Sequence, residues 1–490
     1  MSQATRRKEE TVIIRAALIE DLKRLIGEDK VLSDEIDLLC YSFDSSFMAK
    51  LNRFLPDVVV TPLSTEDVMK VVRYAYEHEI PVIPRGAGTG ETCGAVALSG
   101  GIVMDLSLWD NVIEVDAANM QALVRPGVIH ATLNEHLARF DLFFPPDPGS
   151  TRMCTIGGMV ANNASGLKAV KYGSTEQYVL GLDVVLPTGE LITTGGVGAR
   201  TVKNVSGLNL TKLFVGSEGI LGIITMIRLK VLPKPKGRGI VMAAFSDLDH
   251  APATVLRVYR QGILPACIEI LDSSAITAVN TYRPELELPD AEAILLFEVD
   301  GSPQGVEEEG AEIARIAKEQ AVLVEWATEP KRMMGLWEAR SVLATAAAKL
   351  RPDGTRIFAG EDISVPLAKV TDALRGIRAL SLEYGIRVVN FGHIGDGNVH
   401  TAPVLDPESP DEVEQAKLLV DAIHRLAIRL SGSTTGEHGV GAVRIEYANE
   451  EHGAALRVMQ SIKNTLDPKG IMNPGKLIPC SVIDSSRENR

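Results

Sequence analysis

A chain of 490 residues, 45% hydrophobic and 23% charged, holds ample material for several buried cores and needs no disulfide or structural metal to fold. Its formal charge of −14 argues against nucleic acid as a partner, because such a surface repels phosphates. The first ten residues are polar, no run of residues is apolar enough to span a membrane, and five scattered cysteines (Cys40, Cys93, Cys154, Cys267, Cys480) form no cluster motif. These features predict a cytoplasmic protein without a membrane span, a disulfide framework or an iron–sulfur centre of its own.

Apolar spacing at Ile14, Leu18, Leu22 and Ile26 predicts a helix, and the chain up to residue 52 reads as one or two of them. Asp57-Val58-Val59-Val60-Thr61 reads as a strand. Ser64 caps the next helix with Asp67 as its capping-box partner, and Val68, Val71, Val72 and Ala75 give that helix an apolar face. Pro81-Val82-Ile83-Pro84 is a second strand, completing a βαβ unit whose ligand site should lie beyond that strand's carboxyl end. Residues 100–234 read as strand-rich, and Pro233-Lys234-Pro235-Lys236 as a stiff linker. From 237 to 430, strands such as 293–297 alternate with helices at 311–319, 365–383 and 411–430, an α+β pattern with antiparallel hairpins. The last ten residues read as frayed.

Arg85, Gly86, Ala87, Gly88, Thr89 and Gly90 follow the second strand, and Asp105 lies about twenty residues on, imitating a dinucleotide fingerprint. That fingerprint needs a helix opening at the glycines, whereas Thr92, Gly94, Ser99, Gly100 and Gly101 leave no room for one before Ile102. A glycine loop alone still cradles pyrophosphate, since successive backbone N–H groups converge on an anion; a plain tight turn is the competing reading. Two more loops, 146–166 and 214–222, combine glycine with small hydroxyl and amide side chains, which suits a large polar ligand.

Together these three segments resemble the FAD-binding domain of the vanillyl-alcohol-oxidase type. In particular they resemble the FAD-linked D-2-hydroxy-acid dehydrogenases, which include the catalytic glycolate oxidase subunit, D-lactate dehydrogenase and D-2-hydroxyglutarate dehydrogenase. The likeness runs from about residue 40 to 479. It implies an α+β fold: an N-terminal helical segment over 1–52, an FAD-binding domain over 53–234, a substrate or cap domain with antiparallel sheet over 235–430, and a C-terminal segment over 431–490 that completes the flavin and metal site. It implies FAD, with pyrophosphate on Pro84, Arg85, Gly86, Ala87, Gly88, Thr89 and Gly90. The remaining cofactor contacts it implies are Pro148, Gly149, Ser150, Thr151, Gly157, Gly158, Asn162, Ser165, Gly166, Glu218, Gly219, Ile223, Ile224 and, in the closing motif 466–476, Asn473. Cys154 lies among them and reads as a buried thiol rather than a covalent flavin attachment.

The sharpest signal from the residues themselves is Asn390-Phe391-Gly392-His393-Ile394-Gly395-Asp396-Gly397-Asn398-Val399-His400. Asp-Gly marks a two-residue hairpin turn. With Asp396 and Gly397 as that turn, His393 pairs with His400 and both imidazoles stand on one face, close enough to share a metal ion. Gly436-Glu437-His438-Gly439 offers a carboxylate and a further imidazole, although the residues alone leave an ordinary loop pair open. Two histidines and one carboxylate leave coordination positions free for substrate. The resemblance implies His393, His400 and Glu437 as ligands of one divalent ion (zinc first, iron or manganese otherwise) and His438 as general base.

The chemistry so implied is metal-assisted oxidation of a small D-2-hydroxy acid, D-lactate or glycolate, to the 2-oxo acid. A divalent ion lowers the pKa of a bound hydroxyl toward the range of an imidazole, about 6.5, and hydride passes to the flavin. Arg340 is the candidate for the substrate carboxylate, its fork being suited to that geometry. Ala344 and Gly360 stand where the 2-hydroxyglutarate branch carries threonine and lysine, which disfavours a second carboxylate; Asp362 is left without a role. Electrons must leave to an external acceptor: an iron–sulfur subunit, an electron-transfer flavoprotein or a quinone, in a homodimer or hetero-oligomer. The alternatives are an alkyl-dihydroxyacetone-phosphate synthase-like transferase, a D-2-hydroxyglutarate dehydrogenase, and a catalytically silent flavin-binding subunit.

Overall fold

The computed structural model describes residues 3–351, 355–356 and 361–479. Gly360, Cys480 and the last ten residues, named above, lie outside these. Among the described residues no helix is long and apolar enough to cross a membrane.

The glycine loop grows out of a small sheet ordered Val31–Leu32, Val58–Val60, Ile102–Asp105, Val82–Arg85. Val58–Val60 and Val82–Arg85 both run parallel to Ile102–Asp105, which lies between them. The helix Thr65–His78 makes the crossover, and its Val68, Val71, Val72 and Ala75 pack on the sheet with Leu18, Leu22 and Ile26 of the N-terminal helix. Ser64 accepts the Asp67 N–H at 3.1 Å, as an N-cap should. The Asp67 carboxylate does not return the bond; it meets Lys30 Nζ at 2.7 Å, so the cap is one-sided. The stretch before residue 52 holds three α-helices, a short 3-10 turn and a two-residue strand rather than one or two helices, and Gly27, at φ 102°, ends the first helix just after Ile26.

An antiparallel five-stranded sheet follows, ordered Val112–Asp116, Gln121–Val124, Ile223–Lys230, Val179–Val185, Leu191–Thr193. Beyond it stands the large sheet, in which Gly237–Phe245, Cys267–Asp272, Ala293–Gly301, Arg387–Gly392 and Asn398–Leu405 pair antiparallel. Alternation along its strands feeds two cores. Val241, Ala243 and Phe245 face one, covered by Val255, Ile313, Leu374 and Leu419; Ile240, Met242 and Ala244 face the other, covered by Ala275, Val279, Leu336 and Leu343. A sheet apolar on both faces must be covered on both, and six helices do so. The helix Pro330–Ala348, on the second face, carries Arg340 and has no counterpart among the helices read from the sequence. The chain then returns to the first sheets: Met472 bridges to Val82, and Leu456 packs beneath the five-stranded sheet.

Candidate active site

One cavity of about 660 Å³ runs from the glycine loop to the large sheet, within the size range of small-molecule clefts. Pro84, Arg85, Gly86, Ala87, Gly88, Thr89 and Gly90 line one end, and Pro148, Gly149, Ser150, Gly157, Gly158, Asn162, Ser165, Gly166, Glu218, Gly219 and Ile224 continue the wall. Trp337, Arg340, Phe391, His393, His400, Glu437 and His438 line the other end. No helix opens in 86–101. Close approach of backbone is built in: a Cβ at Gly86 would lie 2.3 Å from Thr155 Oγ1, and one at Gly166 2.2 Å from the Asp147 carbonyl oxygen.

Several expected cofactor residues do something else. Thr151 does not line the cavity; its hydroxyl meets the His130 ring. Ile223 is fully buried in the core under the parallel sheet, because in a strand only one of Ile223 and Ile224 can face the cavity. Asn473 is also buried away from it; its Nδ2 donates to the Gly94 and Glu218 carbonyls at 2.9 and 2.7 Å. Glu218 stays in the wall but accepts the Val440 and Gly441 N–H groups at 2.8 and 2.7 Å, so its carboxylate ties down the returning C-terminal loop. The Arg85 guanidinium braces its own loop by donating to the Ala95 carbonyl at 3.0 Å. Part of the second glycine-rich loop is a helix, Ile156–Asn162, capped by Thr155, which accepts the Gly158 N–H at 3.2 Å. Cys154 is buried, and burial pushes its thiol up.

The histidine hairpin differs from its expected register. His400 pairs with Phe391 rather than with His393, and residues 393–397 form the connection, in which the His393 carbonyl accepts the Asp396 and Asn398 N–H groups. The slip is two positions, and a two-residue slip keeps every side chain on its face. The imidazoles therefore still converge, with ring centroids 5.0 Å apart and planes at 84°.

Glu437 Oε1 lies 3.4 Å from His393 Nε2 and 3.3 Å from His400 Nε2. A tetrahedral ion bonded at ~2.0–2.1 Å holds its ligand atoms ~3.3 Å apart, so these three groups could grip one divalent cation with little movement. Two buried carboxylates organise them. Glu269 takes His393 Nδ1 on one oxygen and Arg340 Nε on the other, each at 2.5 Å. Asp362 Oδ2 accepts the consecutive N–H groups of Gly436, Glu437 and His438 at 2.9, 2.8 and 2.8 Å, a nest closed on a carboxylate, while Oδ1 accepts from Asn398 Nδ2 at 2.6 Å. Asn162 Nδ2 donates to the Glu437 carbonyl at 2.8 Å, joining the glycine-rich wall of the cavity to the same loop. Burial alone would raise the carboxyls of Glu269, Asp362 and Glu437, but neighbouring imidazoles, with Arg340 at Glu269, hold all three below the usual range. Burial alone would lower His393; Glu269 and Glu437 outweigh it and push that imidazole well up. At His400 burial prevails and the shift is downward. The His438 ring stacks on His400 at 5.4 Å, and its Nε2 lies 3.7 Å from Glu437 Oε1.

Arg340 lines the cavity with its guanidinium 5.0 Å from the Phe391 ring centroid. Its Nε is held by Glu269. Glu269 went unnoticed in the sequence, although a carboxylate inside Cys267-Ile268-Glu269-Ile270-Leu271 is a signal: acids are almost never fully buried unless paired.

Solved structures show the fold first. The chain superposes on 4-ethylphenol oxidase from Gulosibacter chungangensis with a TM-score of 0.77 at 21% identity, covering 95% of this chain and 98% of that one. It superposes on p-cresol methylhydroxylase with a TM-score of 0.76 at 17% identity, covering 95% and 97%. An alkyldihydroxyacetonephosphate synthase gives 0.71 at 20% identity, covering 94% and 84%. At these identities the likeness is one of fold, and the fold is that of the vanillyl-alcohol-oxidase type FAD proteins. Residues 56–195 match the FAD binding domain model, and 234–477 match FAD linked oxidases, C-terminal domain. Glycolate oxidase subunit GlcD of Bacillus subtilis is 36% identical over 94% of this chain and 96% of its own length. D-lactate dehydrogenase of Anaerostipes hadrus is 34% identical over 94% and 97%. The chain belongs to the FAD-linked oxidase family that holds these proteins, and is an FAD-dependent hydroxy-acid oxidoreductase.

Proposed function

We propose that this chain oxidises a small D-2-hydroxy acid, D-lactate or glycolate, to its 2-oxo acid. The observation that carries the reading is the single cavity joining the glycine cradle to His393, His400, Glu437 and Arg340. The names of the relatives, a glycolate oxidase subunit and D-lactate dehydrogenases, support the substrate class.

When bound, FAD supplies the hydride acceptor and a divalent ion on His393, His400 and Glu437, zinc first among candidates, supplies Lewis acidity at the substrate hydroxyl. The protein does the rest. Arg340 binds the substrate carboxylate through its terminal nitrogens, and Glu269 fixes the direction of that fork. His438 takes the hydroxyl proton on Nε2, the nitrogen facing the ligand cluster. Phe391, Trp337 and Ala344 wall the substrate end and set its size. Ala344 brings no hydroxyl for a second carboxylate, which favours the smaller acids over 2-hydroxyglutarate. The transferase alternative shares the fold but has no use for the histidine–glutamate cluster.

Electrons then leave to an external acceptor, an iron–sulfur subunit, an electron-transfer flavoprotein or a quinone; the subunit names of two relatives support a hetero-oligomer. The proposed domains are an N-terminal helical segment over 1–52, 53–234 for FAD, 235–430 for substrate, and 431–490 for completing the flavin and metal site. The test is anaerobic addition of D-lactate, glycolate and D-2-hydroxyglutarate to FAD-loaded, metal-replete protein. Bleaching of the flavin by the first or second is expected, and no bleaching by any of the three overturns the reading.

A further inference from the structure

Glu91 ends the glycine loop and has no part in the reading above. It lines the cavity, and its Oε2 is buried without a hydrogen-bond partner among the described residues. His438 Nδ1 is buried and unpartnered in the same sense. These two atoms lie 3.6 Å apart. Buried polar atoms in native proteins nearly always find a partner, and hydrogen bonds at catalytic sites are often long before substrate binds. A small side-chain rotation joins this pair.

The other groups around the ring do not compete. Asp362 Oδ2 is 3.8 Å from Nδ1, but it is committed to three backbone N–H groups and the Thr435 hydroxyl. Glu437 Oε1 lies on the opposite side, 3.7 Å from Nε2, and His400 covers the ring face. A neutral imidazole has one donor and one acceptor nitrogen, and whichever nitrogen is tied to a carboxylate carries the hydrogen.

We propose that Glu91 is the positioning residue of His438. It accepts Nδ1–H, fixes the tautomer whose Nε2 lone pair faces the ligand cluster, and thereby couples the base to the loop that cradles the cofactor. A carboxylate on the far nitrogen is how a histidine base is oriented in hydrolytic triads. The proposal rests on His438 being the base, and the experiment separates the two.

FAD- and metal-loaded enzyme is reduced anaerobically by D-lactate and by glycolate. Glu91→Ala slows the first-order reduction about 10–100-fold, as loss of an orienting partner does, with FAD and metal content unchanged and KM within about twofold. Glu91→Gln keeps the volume and an amide oxygen that accepts Nδ1–H but carries no charge to hold an imidazolium, so its rate lies between those of Glu91→Ala and the parent. Glu91→Asp recovers part of the rate. In a His438→Ala background, Glu91→Ala costs nothing more. A Glu91→Ala enzyme as fast as the parent, an undiminished cost in the His438→Ala background, or loss of FAD from Glu91→Ala overturns the positioning role while leaving the base in place. A His438→Ala enzyme as fast as the parent removes the base itself, and this proposal with it.

Discussion

Glu269 Oε1 lies 2.5 Å from His393 Nδ1, at the centre of the large sheet and away from solvent. Its second oxygen holds Arg340, so one carboxylate aims both a proposed metal ligand and the proposed substrate anchor. Replacing Glu269 by Ala takes their shared partner from the half-buried Arg340 and the buried His393. The expected cost is about 3–5 kcal/mol of stability, with a 10–100-fold loss of metal affinity. Thermal unfolding together with metal content of dialysed protein checks both.

The metal and flavin sites should separate in mutants. His400→Ala removes one of the three proposed metal ligands while leaving the glycine cradle untouched. The variant should retain FAD, lose metal, and be reduced by hydroxy acid at least about 100-fold more slowly. Flavin absorbance, metal analysis and anaerobic reduction read out the three effects. Loss of FAD with the metal would show that the two sites fold as one.

Gly166 tests the cradle. A Cβ there would lie 2.2 Å from the Asp147 carbonyl oxygen, which is backbone and cannot move aside cheaply. Gly166→Ala should cost about 1–3 kcal/mol and weaken FAD retention, seen as flavin released on gel filtration and a lowered Tm.

Acid sensitivity has an assignable source in His130, buried against the Thr151 hydroxyl and Asn134. Burial pushes its pKa down to about 4. The unfolded chain takes up a proton here near pH ~6.5 and the folded one does not. The stabilisation is therefore complete above that pH and is lost as pH falls toward about 4, a change of about 3 kcal/mol. His130→Asn should be less stable near neutrality, with a shallower fall in Tm over that window. A parallel pair of Tm–pH curves would contradict the assignment.

Much of this site was legible because its signals are local. The glycine loop, the histidine hairpin and Gly436-Glu437-His438-Gly439 each carry their chemistry within a dozen residues. The hairpin's register slipped by two, yet period-two alternation kept both imidazoles on one face. What the sequence hid depends on long-range pairing. Asp362 acts through backbone N–H groups 74 to 76 residues away, and Glu269 reaches His393 across 124. The family resemblance implies Asn473 and Glu218 as cofactor contacts; their polar atoms tie loops to one another, although Glu218 still lines the cavity. Helix Pro330–Ala348 escaped because both of its sides are mixed, so its apolar spacing is faint.

The most direct measurement compares flavin reduction by D-lactate and by glycolate, without oxygen, in one preparation before and after chelation and again after zinc is restored. Rapid bleaching, its loss on chelation with FAD still bound, and its return with zinc are expected. Equal rates in the metal-free and metal-replete protein would contradict a role for His393, His400 and Glu437 as ligands of a working ion.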